Sequence, residues 1–121
     1  MDIPARTSHF FTIMKTLLAL TFSLALAASF AKADPAENYS HLCASCHGKD
    51  GTGHTKPGKK LGVKDLTAAD YQKTFSDDDA FKALKNGMKG EDGSNKMKSF
   101  SEKLSDDDIK AVVTYVRTLA K

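Results

Sequence analysis

The chain has 121 residues, of which 40% are hydrophobic and 27% are charged, and its formal net charge is +3. A chain of this length predicts a single small domain, and so weak a positive charge does not favour a nucleic-acid partner. It contains only two cysteines, and these lie close together in the sequence.

Residues 1–33 have the pattern of a cleavable signal peptide. Lys15 precedes an apolar run over residues 17–28 that is too short to span a bilayer comfortably, and a small-x-small cleavage sequence follows it. An uncleaved membrane anchor is the alternative interpretation. Residues 1–13 add little that a signal peptide needs, so Met14 is an alternative translation start and the segment before it an extension. The pattern predicts export to the periplasm.

Cleavage would leave residues 34–121, a domain of 88 residues with 15 basic and 14 acidic side chains and a net charge of +1. A domain this small buries a modest share of its surface and often depends on a cofactor or a crosslink. The balanced charge gives no indication of nucleic-acid binding. We expect a monomer that is at most peripheral to a membrane.

The mature domain predicts an all-α fold of about four short helices separated by glycine-rich loops. Asp34 and Pro35 have the residue types of an N-cap and a first helical position, so a first helix starts there and ends with the two cysteines. Residues 48–58 have no periodicity and predict a loop. Thr67 predicts the N-cap of a second helix that ends near Phe75.

Two runs of one serine and three aspartates predict the remaining helices. Ser76 starts a capping box, and Gly87 ends the helix that follows it. Ser105 starts the last helix in the same way. The apolar stripe of that helix consists of Ile109, Val112, Val113, Val116 and Leu119.

The cysteines belong to the run Cys43-Ala44-Ser45-Cys46-His47. A C-x-x-C-H run predicts covalent attachment of one c-type haem, with each thiol adding across a vinyl group of the porphyrin. Because His47 follows the second thioether directly, its imidazole is predicted to bind the iron on the proximal face.

Three other interpretations of the two cysteines fit less well. A structural zinc site needs four ligands, and neither a second cysteine pair nor an H-x-x-x-H run is present. A thioredoxin-like pair belongs to a strand-to-helix turn, and no convincing strand lies near it. A disulfide between adjacent helical turns has poor geometry and constrains the unfolded chain very little.

The mature chain resembles the class I c-type cytochromes, specifically the small bacterial monohaem type similar to cytochromes c6 and c555. Tyr39 stands four residues before Cys43, the sequence CASCHG follows, Met97 lies in KMKSF, and the chain closes with LSDDDI and YVR. The resemblance covers residues 34–121. It implies a fold in which the first and last helices cross, with Tyr39 near Val112 and Tyr115. Relatives often place a proline shortly after the ligand methionine, whereas Lys98 follows Met97 here.

The sixth iron ligand has several candidates in the sequence: Met88, Met97, His41, His54 or an open position. The resemblance places Met97 at the ligand position of the family. A thioether there is soft and neutral, so it favours ferrous iron and raises the reduction potential. Met88 is interpreted as core filling, and the two histidines as solvated surface residues.

We therefore expect a periplasmic electron carrier, and no enzyme, with haem c held by Cys43 and Cys46 and ligated by His47 and Met97. These four residues should surround one apolar cleft. The alternatives are a cytochrome subunit dedicated to one periplasmic dehydrogenase, or a small peroxidase-like or gas-binding haem protein with a labile sixth ligand. The expected lining of the cleft is Leu61, Leu66, Phe81, Leu84 and Phe100.

The expected partners are protein redox donors and acceptors. Eight lysines lie in the two segments that would flank the haem, and a basic rim of this kind would fit an acidic partner. An ordinary solvated surface is the alternative interpretation. The eight residues are Lys49, Lys56, Lys59, Lys60, Lys64, Lys89, Lys96 and Lys98.

Overall fold

The structure is a computed structural model that describes residues 32–121. All but the last two residues of the predicted signal peptide, and the alternative start at Met14, lie outside the described residues. Within 32–121 the chain forms six helices and one small hairpin. These are α1 (Pro35–Leu42), α2 (Ala44–His47), α3 (Lys56–Leu61), α4 (Ala69–Gln72), α5 (Asp77–Asn86), β1 (Met88–Lys89), β2 (Asn95–Met97) and α6 (Asp106–Thr118).

The predicted helical class is confirmed, and the number of helices is larger than the four expected. Of the helices that the structure describes, none combines the length and the apolar character needed to cross a membrane. The additional helices are short: Ala44–His47 is a separate turn at the end of the predicted first helix, and Lys56–Leu61 begins in the predicted loop 48–58.

The start of α1 follows the prediction. The carboxylate of Asp34 accepts a hydrogen bond from the Ala36 amide at 3.0 Å, and Pro35 occupies the first turn. The helix ends at Leu42, and Cys43 joins it to the single turn of α2. Gly48 ends that turn with a φ of 82°. The predicted haem-attachment run therefore lies at a joint between two helical segments.

Both predicted capping boxes are present. The Ser76 hydroxyl accepts from the Asp79 amide and donates to the Asp79 carboxylate, at 3.1 and 2.7 Å. Ser105 and Asp108 make the same pair of bonds at 3.1 and 2.7 Å. These reciprocal bonds satisfy amide groups that would have no partner at a helix start. Gly87 ends α5, as predicted.

Two local predictions are wrong. Helix α3 begins inside the predicted loop, because the Thr55 hydroxyl caps it by accepting from the Gly58 amide at 2.9 Å. Thr67 does not cap α4, because its amide and hydroxyl both donate to the Asp65 carboxylate. The N-cap of α4 is Ala68, which makes no side-chain bond, and the helix is only 4 residues long.

The hairpin is also absent from the sequence prediction. Strands β1 and β2 pair in antiparallel fashion, with Met88 opposite Met97 and Lys89 opposite Asn95. The strands have 2 and 3 residues and lack an apolar alternation, so no period-2 signal is available in the sequence.

The core forms where α1 packs against α6. Tyr39, Ile109 and Val112 are almost completely buried, and the rings of Tyr39 and Tyr115 lie 5.2 Å apart. The predicted contact between Tyr39 and the last helix is therefore confirmed. Beside this core the helices leave an apolar cavity, which contains the candidate site.

Candidate functional site

One cavity of about 520 Å³ contains all four predicted site residues in its wall: Cys43, Cys46, His47 and Met97. The first three come from the joint between α1 and α2, and Met97 comes from the end of β2. Pockets of this size accommodate cofactors and drug-sized ligands. The fold therefore brings Met97 to the same cavity as the Cys43–His47 segment, although the two are far apart in the sequence.

Four of the five apolar residues expected around the cleft line the cavity, namely Leu61, Leu66, Leu84 and Phe100. The prediction for Phe81 is wrong. Helix α5 turns Ala80, Ala83 and Leu84 to the cavity, whereas the Phe81 ring lies in a separate shallow pocket, with the ammonium groups of Lys85 and Lys110 5.5 and 6.0 Å from its centroid. Ala80, Ala83 and Leu84 share one helix face because they are three and four residues apart, and Phe81 lies at the edge of that face.

The sequence prediction missed a second group of lining residues, which lies at the end of α4 and just after it. Tyr71, Thr74 and Phe75 line the cavity, and the Tyr71 and Phe75 rings are 5.4 Å apart. The predicted second helix ended near Phe75, and an aromatic pair four residues apart on such a helix would have indicated this wall, although the helix observed ends at Gln72.

The Cys43 and Cys46 thiols are free, so the disulfide alternative has no support here. Burial, and then the nearby Cys46, raise the pKa of the Cys43 thiol to about 11. A thiol with such a pKa is not a thiolate at neutral pH, which argues against a reactive thioredoxin-like pair. Within 32–121, no group of three or more His, Cys, Asp or Glu side chains is arranged to hold a metal, which argues against zinc.

The His47 imidazole has the properties of an iron ligand. Its Nδ1 atom is buried and has no hydrogen-bond partner among the described residues. Burial also lowers the pKa of His47, so the ring is neutral at pH 7. A neutral imidazole in an apolar wall offers its other ring nitrogen, Nε2, as a donor to a metal-bearing group.

The segment after His47 holds the attachment run in place. The Gly53 amide donates to the His47 carbonyl, and the Thr55 hydroxyl donates to the Cys46 carbonyl, both at 2.7 Å. Gly58 packs so closely that a Cβ atom there would collide with the carbonyl oxygens of Cys46 and Gly53. The glycine-rich composition of this segment therefore permits α3 to lie directly against α2.

The two methionines have different environments. Met97 is half-buried and packs against the core, at the predicted ligand position. The interpretation of Met88 as core filling is wrong, because this side chain is 49% exposed and contacts the cavity from its rim. His41 and His54 are exposed, as predicted, and neither lines the cavity.

Comparisons with known proteins agree with one another and with the haem-attachment sequence. A family model described as "Cytochrome C oxidase, cbb3-type, subunit III" matches residues 30–116. The solved structure of "KustC0563 c-type cytochrome" is 32% identical with a TM-score of 0.63, over 73% of this chain and 99% of that chain. The chain belongs to this family of c-type cytochromes.

A second solved structure, a Kustc0563 mutant with one tyrosine changed to phenylalanine, is similar to this cytochrome at 30% identity and a TM-score of 0.61, over 71% of this chain and 98% of that chain. A comparison with curated proteins finds no match. Membership of the family means that this cytochrome binds haem c covalently and takes part in electron transport. Cys43 and Cys46 have the spacing of the attachment sequence.

The eight lysines singled out in the sequence are all exposed. Within the described part of the chain, none of them forms an ion pair with a carboxylate. Lys96 and Lys98 flank Met97 and line the cavity of this cytochrome. Uncompensated positive charge therefore lies at the rim of the cavity.

Proposed function

We propose that this cytochrome is an exported one-electron carrier, with haem c attached through Cys43 and Cys46 and ligated by His47 and Met97. The observation that carries the proposal is that these four side chains line a single apolar cavity. Sequence spacing alone predicts the roles of Cys43, Cys46 and His47, whereas Met97 is brought to the cavity by the fold.

Haem c supplies an iron that changes between its ferric and ferrous states. His47 contributes a neutral nitrogen donor, because burial lowers the pKa of the ring. Met97 contributes a soft, neutral sulfur donor, which favours the ferrous state and a raised reduction potential. With both residues as ligands, no position remains for a substrate, which suits electron transfer without bond chemistry.

A peroxidase-like function would need an acid-base residue beside an open iron position. Among the described residues, the one carboxylate in the cavity wall belongs to Asp79, whose oxygen accepts hydrogen bonds from the Ser76 amide and hydroxyl. These bonds lower the pKa of Asp79, so it is a poor proton donor near pH 7. Lys96 and Lys98 also line the wall, and neither is suited to the role.

The partner of the proposed carrier is an acidic redox protein outside the cytoplasm. The support for this assignment is the exposed set of eight lysines, which have no ion-pair partners among the described residues and of which Lys96 and Lys98 line the cavity, together with the signal-peptide pattern of residues 1–33. Opposite charge raises the rate of encounter between redox proteins and orients them.

The proposal is tested on the exported protein after expression with a haem-attachment system. Mass spectrometry of a digest should place the haem on the peptide that contains Cys43 and Cys46. The protein should take up and release one electron reversibly, bind carbon monoxide only slowly, and turn over peroxide no faster than free haem peptide. Rapid carbon monoxide binding together with peroxide turnover would favour the enzyme alternative.

A further inference from the structure

Met88 lies directly opposite Met97 across the β1–β2 hairpin, and both residues line the haem cavity. Directly opposed residues of an antiparallel pair project from the same face, with Cβ atoms about 4.5 to 5.5 Å apart. The hairpin therefore presents two thioether groups to one cavity, side by side. Among residues 32–121, no further methionine is available to the cavity wall.

Met88 is exposed although it is a large hydrophobic side chain, and it takes no part in the packing of the core. Its exposed fraction is 49%, and no other large hydrophobic side chain among the described residues is exposed. Met97, by contrast, packs against the core. Met has three rotatable bonds and adapts to irregular space. A side chain of this kind at the rim can turn into the cavity without displacing a packed neighbour.

The hairpin is attached firmly at its base and weakly elsewhere. At the base, the Gly87 amide donates to the Ala83 carbonyl at 2.8 Å, and the Phe100 amide donates to the Leu84 carbonyl at 2.9 Å. Beyond these bonds, almost every residue of 88–96 is exposed. A two-stranded hairpin with little buried surface is marginally stable, so opening of its exposed part has a low free-energy cost, and release of Met97 costs in addition the packing of that one side chain against the core.

We propose that Met88 is a second thioether ligand, which occupies the sixth iron position when Met97 leaves it. The proposal rests on the proposed ligation by His47 and Met97. Because Met88 is fixed next to Gly87 on the other strand, it stays near the cavity when β2 opens. The exchange replaces one neutral sulfur donor with another, so the iron stays six-coordinate and closed to small molecules.

The test compares haem-loaded Met97→Ala, Met88→Leu and the double variant with the wild type. Met88→Leu is the matched change, because it removes the sulfur and retains an apolar side chain of similar volume. The readouts are the near-infrared band of ferric iron bound to a thioether and the rate of carbon monoxide binding to the ferrous form. Met97→Leu serves as a second variant if Met97→Ala does not assemble.

We expect Met97→Ala to retain the band and to bind carbon monoxide slowly, and the double variant to lose the band and bind it rapidly. Met88→Leu alone should match the wild type. Loss of the band in Met97→Ala alone would overturn the role of Met88 and leave the ligation by Met97 standing. A band that disappears in Met88→Leu alone would overturn both proposals, because Met88 would then be the resident ligand.

Discussion

The Tyr39 hydroxyl donates a buried hydrogen bond of 2.8 Å to the carbonyl oxygen of Gly48. Tyr39 lies in the middle of α1, and Gly48 directly follows His47, so this bond spans the whole haem-attachment run. Burial, followed by the nearby Cys43, raises the pKa of Tyr39 well above its ordinary value and keeps the phenol in its donor form. The bond holds α2, with Cys46 and His47, against the helix that packs on α6.

Tyr39→Phe should therefore destabilise the holoprotein by about 1 to 2 kcal/mol, because the Gly48 carbonyl loses a buried donor. Urea unfolding followed by far-ultraviolet circular dichroism measures the change. Tyr115→Phe is the matched control, since its hydroxyl makes no hydrogen bond among the described residues. An equal loss of stability in the two variants would contradict this role of Tyr39.

The domain should not fold without its haem. A cavity of about 520 Å³ lies beside the core, and a domain as short as residues 32–121 has little other apolar surface to bury. Cys43→Ser combined with Cys46→Ser should show little helix by circular dichroism and no cooperative melting, in contrast to the holoprotein. A haem-free variant with the native helix content and a sharp melting transition would refute this dependence.

The start of α6 should be sensitive to acid. Hydrogen bonds from the Ser105 hydroxyl and amide lower the pKa of Asp108. A carboxylate with a lowered folded-state pKa stabilises the fold above its unfolded-state pKa of about 3.9, and the contribution disappears as the pH falls through the lowered value. Asp108→Asn should thus lower the urea midpoint at pH 7 but not at pH 2. Asp107→Asn, in the same turn and outside the capping box, should have the smaller effect at pH 7.

The lysines at the cavity rim should control the rate of electron exchange with an acidic partner. Changing Lys96 and Lys98, which line the cavity, and Lys89 on the facing strand of the hairpin to Gln should slow the second-order reaction with an anionic redox protein and weaken its dependence on ionic strength. Stopped-flow absorbance measures both effects. Changing Lys73, Lys82 and Lys103 to Gln removes the same charge away from the cavity and should have little effect. Equal effects of the two sets would indicate that net charge alone matters.

The sequence predicted the elements whose signals are local. The capping boxes at Ser76 and Ser105 need only four adjacent residues, and both formed as expected. In the segment 48–58 the many glycines concealed the cap at Thr55, because a composition typical of loops also permits close packing of a short helix. The short strands of the hairpin have too few residues for a periodic pattern.

Contacts between residues that are far apart in the sequence could not be predicted from such local signals. The Arg117 guanidinium donates to the Gln72 and Phe75 carbonyls at 2.5 and 2.8 Å, and thereby fixes the segment that carries part of the cavity wall. These partners are more than 40 residues apart in the sequence, and no local pattern relates them. The position of Met97 in the cavity wall depends on a similar long-range packing of β2 against the core.

The ligation by Met97 is tested most directly by nuclear magnetic resonance of the ferrous holoprotein with ¹³C-labelled methionine methyl groups. The signals of Met88 and Met97 are assigned by comparison with Met88→Leu. A ligand methyl lies over the porphyrin, whose ring current shifts its resonance far upfield. We predict this shift for Met97 and an ordinary position for Met88 in the resting protein. An ordinary Met97 resonance would contradict His47/Met97 ligation and the electron-carrier function derived from it.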